Sequence, residues 1–318
     1  MQKALNKFFT FSFQSLRIQK CSTKPQIKKT YKVDIWSKSM HADSMLLDLL
    51  PRIVELGDYS MQVRDSIVSW KKDPNDFDDI SNLVTEVDVY VQEGILKCLL
   101  EKGYKGRVLA EEETPSLKRF TETGDITIVI DPIDGTLAYK LGLDNFCIIV
   151  SRFRNNSLQS TLVHTPTDRK TYFADLEGCQ VIENGERQRN PLIIPDRMRL
   201  LALTYSLDNE TENALRTKGI IVHQLNRDGK ADPKIEINSI LKGGVGAYFI
   251  RNASFFDWAP IGFIVQKAGG IVTDYSGRQM DFTKFIQHPR IPQEFVLSTM
   301  IVSLDEKIHR ILVENLSK

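Results

Sequence analysis

The chain reads as an α/β protein of layered helices and sheets, and three observations carry that reading. An apolar helical period begins at Asp43, a continuous β-branched run lies at Ile126–Ile130, and strand and helix patterns alternate after Cys179. With 318 residues, 42% of them hydrophobic and 26% charged, the chain has ample material for a buried core. No apolar run approaches the roughly 18 residues that a membrane-spanning helix needs, so no membrane partner is expected. A formal net charge of +1 gives no reason to expect nucleic acid as a partner either.

Residues 1–40 stand apart. Lys3, Lys7, Arg17, Lys20, Lys24, Lys28, Lys29 and Lys32 are mixed with Phe, Ser and Thr, and no acidic residue precedes Asp34. Organelle transit peptides have this composition; a disordered basic tail, or a true start at Met40, are the other readings. The expected location is cytoplasmic, or mitochondrial if residues 1–32 act as a transit peptide. The remainder divides into an α+β half at 41–180 and an α/β half at 181–318.

In the first half, Leu46, Leu49, Leu50, Ile53, Val54, Gly57, Met61, Arg64 and Val68 recur at helical spacing. Pro51 suits the first turn or a kink. Lys71–Ser81 reads as a loop and Val87–Leu100 as a second helix. Arg107–Ala110 and Ile126–Ile130 are short buried strands, and Cys147–Phe153 with Leu158–His164 form a hairpin turning at Asn155-Asn156. Thr171–Ala174 adds a strand. In the second half Leu200–Tyr205 is a strand, Asn209–Lys218 a helix and Ile220–Leu225 a strand. Residues 239–250 read as an interrupted helix running into strand Ala247–Ile250. Pro260–Ala268 is an apolar helix stopped by Gly269-Gly270, Ile271–Tyr275 a strand, and Leu304–Leu316 the closing helix.

Cys21, Cys98, Cys147 and Cys179 form no C-x-x-C pair, which points to free thiols in a reducing compartment. The five histidines form neither H-x-H nor H-E-x-x-H, which argues against zinc. The chemistry is concentrated instead in Asp131-Pro132-Ile133-Asp134-Gly135-Thr136, directly after a strand. Two carboxylates three residues apart can converge there, while Pro132 and Gly135 force a tight turn whose amides near Gly135 and Thr136 can cradle an anion. Carboxylates and a phosphate share a site only with divalent cations between them, and hard Mg²⁺ fits. The plainer reading is an Asp-rich turn whose side chains cap backbone groups.

D-P-I-D-G-T resembles the signature of the inositol monophosphatase superfamily, a lithium-sensitive group of Mg²⁺-dependent phosphatases. Three further segments match it in order: Val84-Thr85-Glu86-Val87-Asp88, Glu111-Glu112 after a strand, and Phe256-Asp257-Trp258-Ala259-Pro260 ahead of Ala268-Gly269-Gly270. The resemblance spans about residues 43 to 315. It implies a layered αβαβα sandwich with the metal site between its two halves, and a homodimer by family analogy.

The same resemblance implies that Glu111, Asp131 and the carbonyl of Ile133 hold one Mg²⁺, Asp131, Asp134 and Asp257 a second, and Asp88 with Glu111 a third. Thr136 with Asp88 would orient and deprotonate the attacking water, and Gly135, Thr136 and Asp257 would contact the substrate. An inositol phosphate is the first candidate for that small phosphorylated metabolite. A 3′(2′),5′-bisphosphate nucleotide, histidinol phosphate and sugar phosphates are the alternatives, and a binding or regulatory subunit is the non-enzymatic one. The match also has departures. Ala110 replaces a glycine, Phe256 replaces a tryptophan, and the acidic triplet Glu111–Glu113 leaves Glu111, the favoured ligand, to be separated from Glu112. The largest departure is the absence of the usual G-S segment from 225–246, where Lys230, Lys234 and Lys242 read first as solvated charges and second as partners of another phosphate.

Overall fold

The computed structural model describes residues 44–66, 69–71, 83–189, 192, 199–203, 207–224, 226–227, 230–231, 235–283, 286–287 and 295–316. All of these belong to the unit Ser37–Lys318. The basic N-terminal segment and most of the loop expected at Lys71–Ser81 lie outside the described residues, as do Val68, Lys234 and Thr204–Tyr205.

Helix α1 (Ser44–Val63) carries the expected apolar stripe. Pro51 sits well inside it, on the exposed side, where water can satisfy the carbonyl that proline leaves free. Strands β1 (Ser69–Lys71) and β2 (Leu83–Thr85) form an antiparallel pair, and α2 (Glu86–Glu101) follows directly. Strands β3 (Arg107–Ala110) and β4 (Ile126–Asp134) run parallel. Beyond the short helix α3 (Thr136–Lys140) come β5 (Cys147–Arg154), β6 (Ser157–Thr165), β7 (Lys170–Asp175), β8 (Gly178–Glu183) and β9 (Glu186–Arg189). The hairpin between β5 and β6 turns at Asn155 and Asn156, both at positive φ, as the dipeptide predicts. Together β3 to β9 form one seven-stranded sheet in sequence order. The strands β8 and β9 were not expected; β9 is exposed along its whole length and shows no apolar alternation.

The second half supplies β10 (Leu200–Leu203), α4 (Asn209–Thr217), β11 (Ile221–Gln224) and a two-residue ladder of β12 (Asn226–Arg227) with β13 (Lys230–Ala231). A 3₁₀ turn at Ile237–Ile240 stands where an interrupted helix was expected; Gly243, Gly244 and Gly246 stop it from lengthening. Strand β14 (Ala247–Ile250) matches its expected bounds. Helix α5 (Phe255–Lys267) begins five residues before Pro260, which lies in its second turn instead of opening it. Strands β15 (Ile271–Asp274), β16 (Ile286–Gln287), β17 (Phe295–Val296) and β18 (Met300–Ser303) precede α6 (Glu306–Leu316). The second sheet has the order β11-β10-β14-β18-β15, parallel through β11, β10 and β14 and antiparallel at β18.

Three apolar clusters define the layering. Leu46, Leu49 and Ile53 of α1 and Val91, Ile95 and Leu99 of α2 pack on Ile128, Ile130, Ile148 and Val150 of the first sheet. The opposite face, with Val129, Cys147 and Ile149, meets Trp258, Ile261 and Ile264 of α5, which also meets Tyr248, Val272 and Val302 of the second sheet. Leu215 of α4 and Ile308 and Leu312 of α6 cover the far face of that sheet. The order is therefore helix, sheet, helix, sheet, helix, as expected. The central α5 is apolar around most of its circumference because it is covered on two sides. No helix among the described residues is long and apolar enough to cross a membrane.

Candidate active site

The D-P-I-D-G-T motif is not one tight turn. Strand β4 continues through Asp134, and the chain reverses at Gly135. In a regular strand, residues three apart point to opposite faces, which would separate Asp131 from Asp134. A bulge prevents this: Asp131 lies opposite Ile149 and Asp134 opposite Cys147, three steps on β4 against two on β5. Both carboxylates therefore share the face of Val129 and Ile149, toward α5, while Ile133 packs into the cluster beneath α1 and α2. Pro132 falls inside the bulge, where a missing N–H costs no ladder bond.

Asp257, in the first turn of α5, reaches the same point from the next layer. Asp131, Asp134 and Asp257 each place an oxygen within 4.8 Å of the others. Glu111 follows β3, its amide bonded to the Ile130 carbonyl at 3.1 Å, and its side chain shares a hydrogen bond with Asp131. Glu112 is held through its backbone. Its amide donates to Gln92 Oε1 at 2.9 Å, and its carbonyl accepts from the Gln92 amide at 2.5 Å. The contact with Asp131 marks Glu111 as its neighbour, while the buried Glu112 carboxyl adds charge near Asp88.

Asp88 lies one layer away, on α2. Thr85 is the N-cap of that helix and Asp88 completes its capping box, accepting from the Thr85 amide at 2.8 Å and from the Thr85 hydroxyl through Oδ2. The cap holds the carboxylate with Oδ1 toward Thr136, whose hydroxyl is 3.3 Å from it and 3.0 Å from the Ile133 carbonyl. One hydroxyl proton serves only one of these acceptors at a time. Gly135 makes the reversal at φ +82°, and a Cβ there would stand 2.7 Å from the Asn145 carbonyl, so only glycine fits.

Burial is the first cause that pushes Asp131 well above the usual carboxylate range, with the charges of Glu111, Asp134 and Asp257 behind it. Asp134 is raised in the same direction by burial, then by Asp257 and Glu236. Asp88 is raised to about 7, by burial first and by Glu111 and Glu112, against the lowering effect of the Thr85 bonds. Burial and mutual repulsion thus act in the same direction on all three carboxyls. Asp131 Oδ1 is buried and has no hydrogen-bond partner among the described residues. Carboxylate oxygens converging from two layers, with an unmet acceptor among them, fit a hard divalent cation.

Sequence reasoning missed four residues here: Thr85 as the cap, Gln92 as the clasp, Cys147 as the cross-strand neighbour of Asp134, and Glu236 as an added charge near it. Thr85 and Gln92 carried local signals, the first three residues before Asp88 in a capping box and the second one helical turn beyond it; Cys147 and Glu236 depend on long-range register. Lys242, read as a solvated charge, instead donates to the Asp144 carbonyl at 2.8 Å and pairs with Asp168 at 3.1 Å.

Fold and site together define a layered α/β protein with a buried acidic cluster, able to hold a cation, beside a glycine reversal. The chain belongs to the inositol monophosphatase family, whose pattern matches residues 53–315 and whose members are phosphatases, hydrolases of phosphomonoesters. Its relatives include a fructose-1,6-bisphosphatase/inositol-1-monophosphatase of Thermotoga maritima, 28% identical over 203 residues, covering 62% of this chain and 73% of that one. A protein named Nus factor SuhB from Pseudomonas aeruginosa is 28% identical over 206 residues, covering 63% and 74%. Among solved structures, a Thermotoga maritima IMPase superposes with a TM-score of 0.61 at 24% identity, covering 85% of this chain and 97% of that one. An IMPase/NADP phosphatase complexed with Mg²⁺ and phosphate gives 0.59 at 19% identity, covering 85% and 94%.

Proposed function

We propose that the chain is a Mg²⁺-dependent phosphomonoesterase of small phosphorylated metabolites, with an inositol phosphate as the first substrate to test. The observation that supports it most is the convergence of Asp131, Asp134 and Asp257 within 4.8 Å beside the Thr136–Asp88 pair. Asp131, Asp134 and Asp257, joined by Glu111, Asp88 and the Ile133 carbonyl, would hold two or three ions. When bound, Mg²⁺ supplies charge neutralisation for the transferring phosphoryl group and acidifies a water.

The remaining tasks fall to this chain's own groups. The Thr136 hydroxyl and Asp88 Oδ1 orient the attacking water and receive its proton. The Gly135 and Thr136 amides donate to the phosphate oxygens. Asp257 faces the leaving alcohol. The P–O bond to that alcohol breaks as the water oxygen bonds to phosphorus, and the leaving alkoxide takes a proton from solvent water.

The test is Mg²⁺-dependent phosphate release from inositol monophosphates, a 3′,5′-bisphosphate nucleotide, histidinol phosphate and sugar phosphates, with and without Li⁺. Release that needs Mg²⁺ and falls with Li⁺ is expected. Folded protein that releases no phosphate from any of them refutes the enzyme and leaves the binding-subunit reading, to which the relative named as a Nus factor lends support.

A further inference from the structure

We infer that the thiol of Cys147 is a positioning donor that fixes Asp134 for its cation. The inference rests on the reading of Asp131, Asp134 and Asp257 as cation ligands. The bulge that turns Asp134 toward α5 also sets it directly opposite Cys147 on β5. The Cys147 Sγ donates to Asp134 Oδ2 at 3.4 Å. Cys147 is fully buried and Asp134 nearly so, so water does not compete for that oxygen. With Oδ2 held from the β5 side, the carboxylate cannot rotate freely, and Oδ1 is left for the cluster with Asp131 and Asp257.

The residue type supports the role. Cys147 heads the run Ile148-Ile149-Val150 and packs in the same cluster as Val129 and Ile149, where a valine would satisfy packing alone. Cysteine behaves as a small hydrophobe that still carries a weak S–H donor. It meets the core on one side and the carboxylate on the other. Donors behind a ligating group are worth roughly 10- to 100-fold in metal affinity, and a weak donor belongs at the low end, about tenfold.

Isothermal titration of Mg²⁺ into the full chain and into Cys147→Val and Cys147→Ser tests this. The valine variant is expected to weaken Mg²⁺ binding about tenfold and the serine variant, which keeps a donor, to restore most of it. In turnover assays the same loss appears as a higher Mg²⁺ concentration at half-maximal rate, with the substrate KM little changed. Thermal unfolding in EDTA checks the fold, and Cys147→Ala replaces the valine variant if that one fails to fold. Wild-type Mg²⁺ affinity in a folded valine variant overturns the inference, as does a serine variant no better than valine. The ligand assignment beneath it has its own arm: a wild-type chain that binds no Mg²⁺, or an Asp134→Asn variant that binds it normally, overturns both.

Discussion

Replacing Asp131 with asparagine should move stability and activity in opposite directions. Asp131 is buried between Asp134 and Asp257, with all three offering oxygens within 4.8 Å, so each ionised pair repels by about 3.5 kcal/mol at an effective dielectric of about 20. Asp131 belongs to two of the three pairs, and full ionisation would therefore load it with about 7 kcal/mol. Without a cation the protein escapes this by retaining protons, as the upward shifts of Asp131 and Asp134 express. Asp131→Asn keeps the side chain's shape and removes its charge. In EDTA at about pH 8 the unfolding temperature of this variant should equal or exceed that of the wild type. Mg²⁺ at about 100 times its dissociation constant adds about 2.7 kcal/mol to the wild type, or about 5–10 °C, and should add almost nothing to the variant. Phosphate release should fall by a factor on the order of 10³, since several kcal/mol of transition-state stabilisation goes with the ion. Thermal scans with and without Mg²⁺, beside a phosphate-release assay, measure all three. A variant that gains as much from Mg²⁺ as the wild type, or is several degrees less stable in EDTA, refutes the reasoning.

Two more outcomes follow from the geometry. Gly135→Ala puts a Cβ 2.7 Å from the Asn145 carbonyl at a φ of +82°, which should cost about 1–3 kcal/mol and most of the activity; denaturant unfolding and turnover check it, and an unaffected variant removes the strain argument. Asp88, raised from 3.8 to about 7, retains its proton longer when folded than when unfolded. Its contribution is complete below about pH 4 and is lost as pH rises through about 7, on the order of 4 kcal/mol in all. Asp131 and Asp134 act with the same sign. Stability in EDTA should therefore fall from about pH 5 to about pH 8 while the gain from Mg²⁺ grows; a metal-free protein more stable at the higher pH contradicts the shifts.

Much of the fold was legible because its signals are local. The period of α1, the β-branched run of β4, the Asn155-Asn156 turn and the Gly269-Gly270 stop are written in adjacent residues. Strands β9 and β18 and the start of α5 were less so. The exposed strand β9 exists by pairing with β8, and Met300–Ser303 is a short apolar run that its neighbours β14 and β15 make into a strand. At the site, residue chemistry pointed to the Asp131–Thr136 motif, and the resemblance of three further short segments added Asp88, Glu111 and Asp257. Their convergence depends on a bulge, a cross-strand register and a helix crossing that no short window contains. The Gln92 clasp on the Glu112 backbone likewise joins residues 20 apart.

That distribution has a physical reason. Carboxylates placed on one helix or one loop could move apart to relieve their repulsion, and the cluster would relax without a cation. Here Asp131 and Asp134 are fixed by the ladder with β5, Asp257 by a helix buried between two sheets, and Asp88 by its capping box. None can retreat without disturbing a packed layer. The repulsion can therefore be relieved only by retaining protons or by binding a cation, which makes ion affinity a property of the layers as much as of the ligands. A substitution that loosens the packing of α5 against the first sheet should weaken Mg²⁺ binding even where it touches no carboxylate.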